Sequence, residues 1–378
     1  MKKAYWPVIL VLVLVVAAVV IWRFKPQSSE GVKVRVGAIL PLTGSASLLG
    51  KGVQEGIQIA AAELNAAGGV NGEEIQVFFE DSKNEAKEGV AAFQKLMAVN
   101  HPTAIICEMS SVSKALAPLA AREQIVAVAT VTASPDLTDM SDWVFRNYYS
   151  TRTQGDAIAE YTSQKLGLKR VGILYLTDDY GVTGEKEFRS ALAQRGISDI
   201  ASEGYPKDAT DLRAQATKLI DKATDGICVI AYDEALARAF TQIRELGYKG
   251  HLLTYTGLAN PTVLEHAGAA AEGAYVSMAD FDPASPQGNV QKRFVSDYKA
   301  KYGKLPSHYE AFGYDTLQCI VQALKQAQPS SPQAIREKLA NLPPFEGVMG
   351  KISISARREV EFPQTVKVVK NGQIVTIQ

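Results

Sequence analysis

Apolar positions recur along the chain in two alternating patterns, short strand-like runs and longer runs with helical spacing. From residue 34 the chain reads VRVGAILPLT. Val34 and Val36 alternate with Arg35, and Ala38, Ile39 and Leu40 then form an unbroken apolar run. That pattern predicts a strand entering a parallel sheet covered on both faces. After a Pro-Leu-Thr-Gly stop and a small polar turn (Ser45, Ala46, Ser47) comes an amphipathic segment from about Gly50 to Ala67. Val53, Ile57, Ala60, Ala61 and Leu64 fall on one face of it, and Gly68-Gly69 supplies its stop. Further strands are expected at 75–80, 103–108 and 125–130. Around residues 148–155 the rhythm restarts, with strands at 170–177, 226–232, 251–256 and 274–278 and helices at 183–196 and 234–246.

This alternation predicts an α/β fold of two similar lobes, each a Rossmann-like parallel sheet built from βαβ units. The tail departs from it. Residues 350–355 and 365–377 read as strands without helices, with Asn371-Gly372 as a hairpin turn. In open α/β sheets, ligands sit at the carboxyl ends of the strands. The first such end carries hydroxyls and small residues, which points to small-molecule binding.

The N-terminus bears on compartment. Lys2 and Lys3 precede residues 4–22, which carry no charge, and Arg23 and Lys25 follow. At about 1.5 Å per residue that stretch reaches roughly 28 Å, close to the thickness of a bilayer's hydrocarbon core. Val16-Ala17-Ala18 could form a signal cleavage site, but Val19 to Trp22 carry the apolar run past it. No cysteine follows, so there is no lipoprotein signal. The expectation is an exported protein, preceded by one hydrophobic helix that anchors it at the periplasmic or extracellular face of the membrane. Residues 26–31 read as a linker.

Charge and composition narrow the classes further. With 378 residues the chain can hold two ordinary domains, and Lys plus Arg equals Asp plus Glu at 40 each. A net charge of zero argues against a nucleic-acid partner. Cys107, Cys228 and Cys319 show no CxxC spacing and read as buried thiols, with one disulfide left open. Gly44 to Gly52 resembles a phosphate loop but has five residues between Gly44 and Gly50, and Gly52 stands where Ser or Thr would hold magnesium. No GxSxG, no HExxH and no dinucleotide-binding glycine run after a strand is present, and His101, His251, His266 and His308 are scattered. The reading is a binding protein, not an enzyme, with no cofactor and no metal.

Several segments carry a family resemblance: Gly37 to Gly44 (GAILPLTG), Glu63 to Gly72 (ELNAAGGVNG), Ser134 to Thr138 (SPDLT), Phe145-Arg146-Asn147, Gln154-Gly155, Asp179-Tyr180-Gly181 and Ala271-Glu272-Gly273. In this order and spacing the chain, from about residue 33 onward, resembles the leucine/isoleucine/valine-binding group of periplasmic solute-binding proteins. Those are the receptors that feed ABC transporters. The resemblance implies the type I periplasmic binding fold, in which two lobes joined by a three-strand hinge close on a small ligand. It places residues 33–151 and 255–348 in the N-terminal lobe, and 152–254 and 349–378 in the C-terminal lobe.

The resemblance also assigns a pocket. Ser110 and Ser111 match the family's anion site, where helix amides and hydroxyls would hold a carboxylate; on residue type alone a serine helix cap is equally good. The family's threonine before the Ser-Pro motif falls on Ala133, with Thr132 one residue earlier. The acidic positions that hold an α-ammonium fall on Thr151 and Thr256, and Arg152 adds the opposite charge. A desolvated ammonium without a carboxylate is costly, so the expected ligand is a carboxylate or amide without a free α-ammonium. Asp233 is the one candidate rescue, although it also reads as the cap of the helix at 234. Tyr180 and Leu49 match walls of the pocket, and Tyr232 lies near the cleft. The implied partners are an amino acid or organic acid, ABC permease subunits and the membrane. The alternative is a membrane-anchored sensor working with a separate signalling partner.

Overall fold

The computed structural model describes residues 34–327 and 331–377. The expected membrane segment at 4–22 lies outside them, and among the described residues no helix is long and apolar enough to cross a membrane.

Two sheets carry the fold. The first holds β1 (Val34–Leu40), β2 (Ile75–Asp81), β3 (Ala104–Glu108), β4 (Val126–Thr130) and β5 (Val144–Asn147), all parallel, in the order β2-β1-β3-β4-β5. The helices between these strands are α1 (Ser47–Ala66), α2 (Ala86–Lys95) and α3 (Ser110–Glu123). After α4 (Thr151–Gln164) the pattern repeats with β6 (Arg170–Leu176), α5 (Asp179–Gln194), β7 (Asp199–Tyr205), α6 (Arg213–Asp221), β8 (Gly226–Ile230), α7 (Asp233–Glu245), β9 (His251–Thr254), α8 (Pro261–Ala267) and β10 (Tyr275–Ala279). In the second sheet β7-β6-β8-β9-β10 repeats the first sheet's order, so the two lobes are variants of one unit. Strands β1, β3, β4, β6 and β8 are almost wholly buried, as unbroken apolar runs demand in a sheet covered on both sides.

The rest of the chain comprises α9 (Gly288–Tyr302), α10 (His308–Gln326), α11 (Pro332–Ala340) and the ribbon of β11 (Phe345–Gly347) with β12 (Gly350–Ile352). It then returns to the second sheet as β13 (Gln364–Lys370) and β14 (Gln373–Thr376), antiparallel to each other. Asn371 and Gly372 turn this hairpin with φ of 52° and 71°, the left-handed pair that a two-residue turn requires.

The passages between lobes differ from the sequence expectation. The first runs from β5 into α4, near residue 151. The second does not fall near 254: β10 pairs with β9 and β13 in the second sheet, so the chain leaves that lobe after residue 279. The third does not fall near 349. The expected strand at 350–355 pairs instead within its own ribbon, and residues 358–360 still lie against Arg146 of β5. The buried guanidinium of Arg146 pairs with Glu359 at 2.6 Å. Local apolar runs reveal strands but not which sheet recruits them, which explains both shifts.

Helices α1 and α10 cross backbone to backbone over the first sheet. A Cβ on Gly56 would stand 1.9 Å from the Glu310 carbonyl oxygen, and one on Gly313 would stand 2.3 Å from that of Val53. Cys107, Cys228 and Cys319 are free and buried, as residue type suggested, and burial raises the pKa of all three thiols.

Candidate functional site

In each lobe the sheet order reverses beside its first strand, between β1 and β3 and again between β6 and β8. A crevice opens at such a switch point, outside the carboxyl ends of the strands. Here the two crevices face each other across a narrow cavity. Leu49 of α1 enters it after β1, Met109 and Ser110 after β3, Val131 and Ala133 after β4, and Tyr148 after β5. From the second lobe come Tyr180 after β6, Tyr232 after β8 and Gly257 after β9, and Tyr309 at the start of α10 completes the wall.

Three turns at this site run through left-handed backbone. Met109, Val131 and Asp233 have φ of 71°, 41° and 46°. Non-glycine residues rarely adopt that region, a β-branched valine least of all. Each follows the end of a sheet strand (β3, β4 or β8) and turns the chain sharply at the cavity wall.

Ser110 is the first residue of α3 and is buried, with Met109 in the capping position and no side-chain cap. The capping alternative for Ser110 therefore does not hold; its hydroxyl and the first-turn amides face the cavity end of the helix. Ser111 follows on α3, half-buried and outside the cavity wall. The hydroxyl of Thr132 is spent within the lobe, donating to the Thr130 carbonyl at 3.0 Å and lying 3.0 Å from Ser113 Oγ. Ala133 lines the cavity, and its carbonyl accepts the Thr151 N–H at 2.8 Å. Thr151 is fully buried at the first passage, its hydroxyl without a protein partner, but it does not line the cavity. Thr256 is equally buried, and its hydroxyl binds the Ser277 carbonyl at 3.0 Å, so its neighbour Gly257 forms the wall instead.

Arg152 does not join the site. Its side chain is 61% exposed and pairs with Glu187 at 3.1 Å, because α4 turns it outward one position after buried Thr151. Asp233 is not the cap of a helix beginning at 234. The helix begins at Asp233 itself, Tyr232 holds the capping position, and the Asp233 carboxylate reaches the other lobe to accept the Leu48 N–H at 3.0 Å. Burial pushes its pKa up to about 8.

Polar contacts close the cleft around the cavity. Tyr232 donates its hydroxyl proton to Asp178 at 2.6 Å and accepts from the Asn84 amide of the first lobe at 2.8 Å. Lys114 of α3 meets Asp179 of α5 at 3.0 Å, and Lys207 bonds the Asn84 carbonyl at 3.1 Å. Tyr180 faces Tyr232 with ring centroids 5.8 Å apart, and Tyr148 stacks on Tyr149 at 4.0 Å. Burial raises the pKa of Tyr148, Tyr180, Tyr232 and Tyr309, so these phenols stay neutral donors. Among the described residues no group of three or more His, Cys, Asp or Glu could hold a metal ion.

The model of the family described as periplasmic binding protein matches residues 33–371. The chain belongs to the periplasmic binding protein family. Among solved structures, the leucine-binding protein LivK of Thermotoga maritima shares 29% identity at a TM-score of 0.85, over 91% of this chain and 98% of that one. LivJ of Streptococcus pneumoniae, a branched-chain amino acid binding protein solved with isoleucine, shares 26% at a TM-score of 0.82, over 90% and 97%. A Leu/Ile/Val-binding protein homolog 2 of Brucella abortus (strain 2308) is 25% identical over 86% of both chains. The type I fold expected from the segments GAILPLTG and ELNAAGGVNG is thus the fold of this family member, with its cavity between the lobes.

Sequence reasoning did not find Met109, Val131, Gly257 or Tyr309. Only the residue types flanking the strand ends could have flagged them, since neither Met109 nor Val131 announces its turn with a glycine.

Proposed function

We propose that this periplasmic binding protein is an extracytoplasmic receptor that captures a small organic carboxylate between its lobes and delivers it to an ABC permease. The ligand is one without a free α-ammonium. The observation that carries this reading is the composition of the cavity wall: Ser110 at the start of α3, four tyrosines, small apolar residues and no carboxylate. An anion is favoured at a helix N-terminus, where first-turn amides and a hydroxyl converge. The tyrosine faces and Leu49 suit an apolar body. The relatives named for leucine, isoleucine or valine point to amino acids. The neutral Thr151 and Thr256, with Thr256 bonded inside its own lobe, argue against an α-ammonium here. Closure needs a ligand that touches both lobes, because only differential affinity shifts the population. The lining from both lobes suits that role.

Isothermal calorimetry with short alkyl and aryl carboxylates, leucine, isoleucine and valine tests the reading. Binding of a carboxylate with a tenfold or greater loss in Ser110→Ala is expected. Nanomolar binding of leucine would sink the ligand assignment and leave the receptor role intact.

A further inference from the structure

One residue before cavity-lining Met109 lies a buried carboxyl that the carboxylate reading leaves unused. Glu108 ends β3, has no exposed surface, and neither of its oxygens has a hydrogen-bond partner in the protein. Side chains alternate across a strand. Cys107 faces Ser113 of α3, so Glu108 projects to the opposite face, the one covered by α1 and α10. Leu49 and Tyr309, on those two helices, line the cavity there. The Tyr309 phenol feels the charges of both Glu108 and Asp233. Asp233 arrives from the other lobe, one residue after cavity-lining Tyr232, is 2% exposed, and keeps one oxygen without a partner. An unpaired charge in such surroundings costs several kcal/mol unless an opposite charge meets it.

We infer that Glu108 and Asp233 form a cation subsite, one carboxyl from each lobe, that receives an ammonium at the far end of the ligand from its carboxylate. This deepens the proposed function and rests on its placement of the carboxylate at Ser110. The substrate class is then a short amino acid with its ammonium displaced along the chain. Such a ligand needs no acid at Thr151 or Thr256. It also draws the lobes together, because its cation is shared by residues from both.

Calorimetry with 4-aminobutanoate and 5-aminopentanoate against butanoate, pentanoate and leucine tests the subsite in the wild-type protein. At least one of the two amino acids is expected to bind tenfold or more tighter than the plain acid of equal length, and tighter than leucine. Glu108→Leu is expected to erase that preference while plain acids still bind; should that variant fail to fold, the wild-type ranking decides. Plain acids binding as tightly as their amino counterparts would overturn the cation subsite and leave the carboxylate reading standing. Failure of both series would overturn both, and tightest binding of leucine would place the ammonium elsewhere and overturn both as well.

Discussion

The carboxylate of Asp233, in the first turn of a second-lobe helix, accepts the backbone N–H of Leu48, in the first turn of a first-lobe helix, at 3.0 Å. A negative charge at a helix N-terminus is favourable, so this bond ties the lobes at the mouth of the switch point. It also makes closure sensitive to pH. Burial in the closed form outweighs the pull of the Leu48 and Leu49 amides and pushes the Asp233 pKa from 3.8 up to about 8. Closing therefore favours the protonated form, and the closed state loses stability relative to a solvated open state as pH rises from about 4 to about 8. Burial shifts Glu108 and Asp178 in the same direction. X-ray scattering on the ligand-free protein is expected to show a larger radius of gyration at pH 8.5 than at pH 5, and Asp233→Asn should flatten that change. A profile that stays level, or that contracts with rising pH, contradicts the assignment.

The hydroxyl of Tyr232 joins three elements, with Asp178 beside it and Asn84 across the cleft. Tyr232→Phe keeps the ring on the cavity wall and removes both bonds. Of the two bonds, the one to Asn84 crosses the cleft, and its net loss of about 0.5–1.5 kcal/mol weakens the closed state, so affinity for any ligand that drives closure should fall about 2- to 12-fold. Calorimetry on the variant gives the number. An unchanged dissociation constant would mean that the bridge forms without contributing to closure.

How much of this was legible follows from what local sequence encodes. The run VRVGAIL declares a buried strand because each residue is apolar or small where a doubly covered sheet requires it, and the structure holds it as Val34–Leu40. The apolar face of the following helix was legible for the same reason, and its glycines at 68 and 69 take positive φ where the chain turns away. Sheet membership was not legible. Tyr275–Ala279 looks like any short strand, and only its pairing with β9 and β13 assigns it to the second lobe. The site was legible where strand ends deliver it, as at Leu49, Ser110, Tyr180 and Tyr232. It was not legible at Tyr309, which reaches the cavity from a helix far along the chain. Orientation was the other gap. One residue separates Thr151 from Arg152, yet the helix buries the first and exposes the second.

That orientation makes Arg152 a test of the cavity's limits. Its guanidinium is largely exposed and held by Glu187 on the neighbouring helix of the same lobe. Exposed pairs of this kind contribute about 0–1 kcal/mol. Arg152→Ala should leave ligand affinity within about twofold while lowering thermal stability by no more than a degree or two. A tenfold loss of carboxylate binding would show instead that the arginine swings into the site.

The strongest single constraint on the first lobe is the crossing of α1 and α10. A methyl group on Gly56 would stand 1.9 Å from a backbone oxygen, that of Glu310, and such an atom cannot yield as the tip of a flexible side chain can. Gly313 is pressed in the same way against Val53 from the other helix, so the two backbones have no slack on either side. In an isolated helix, alanine in place of glycine would be worth about 1 kcal/mol. Here the helices must separate, and overpacking of a tight core costs typically about 1–3 kcal/mol, with contacts against backbone at the upper end. The packing term outweighs the propensity term, so Gly56→Ala should destabilise the protein by about 2 kcal/mol. For a chain of this size that lowers the melting temperature by about 2–3 °C. Since α1 also carries Leu48 and Leu49 to the cleft, ligand affinity should fall together with stability. A variant that melts at or above the wild-type temperature would show that the helices lie further apart than this crossing requires.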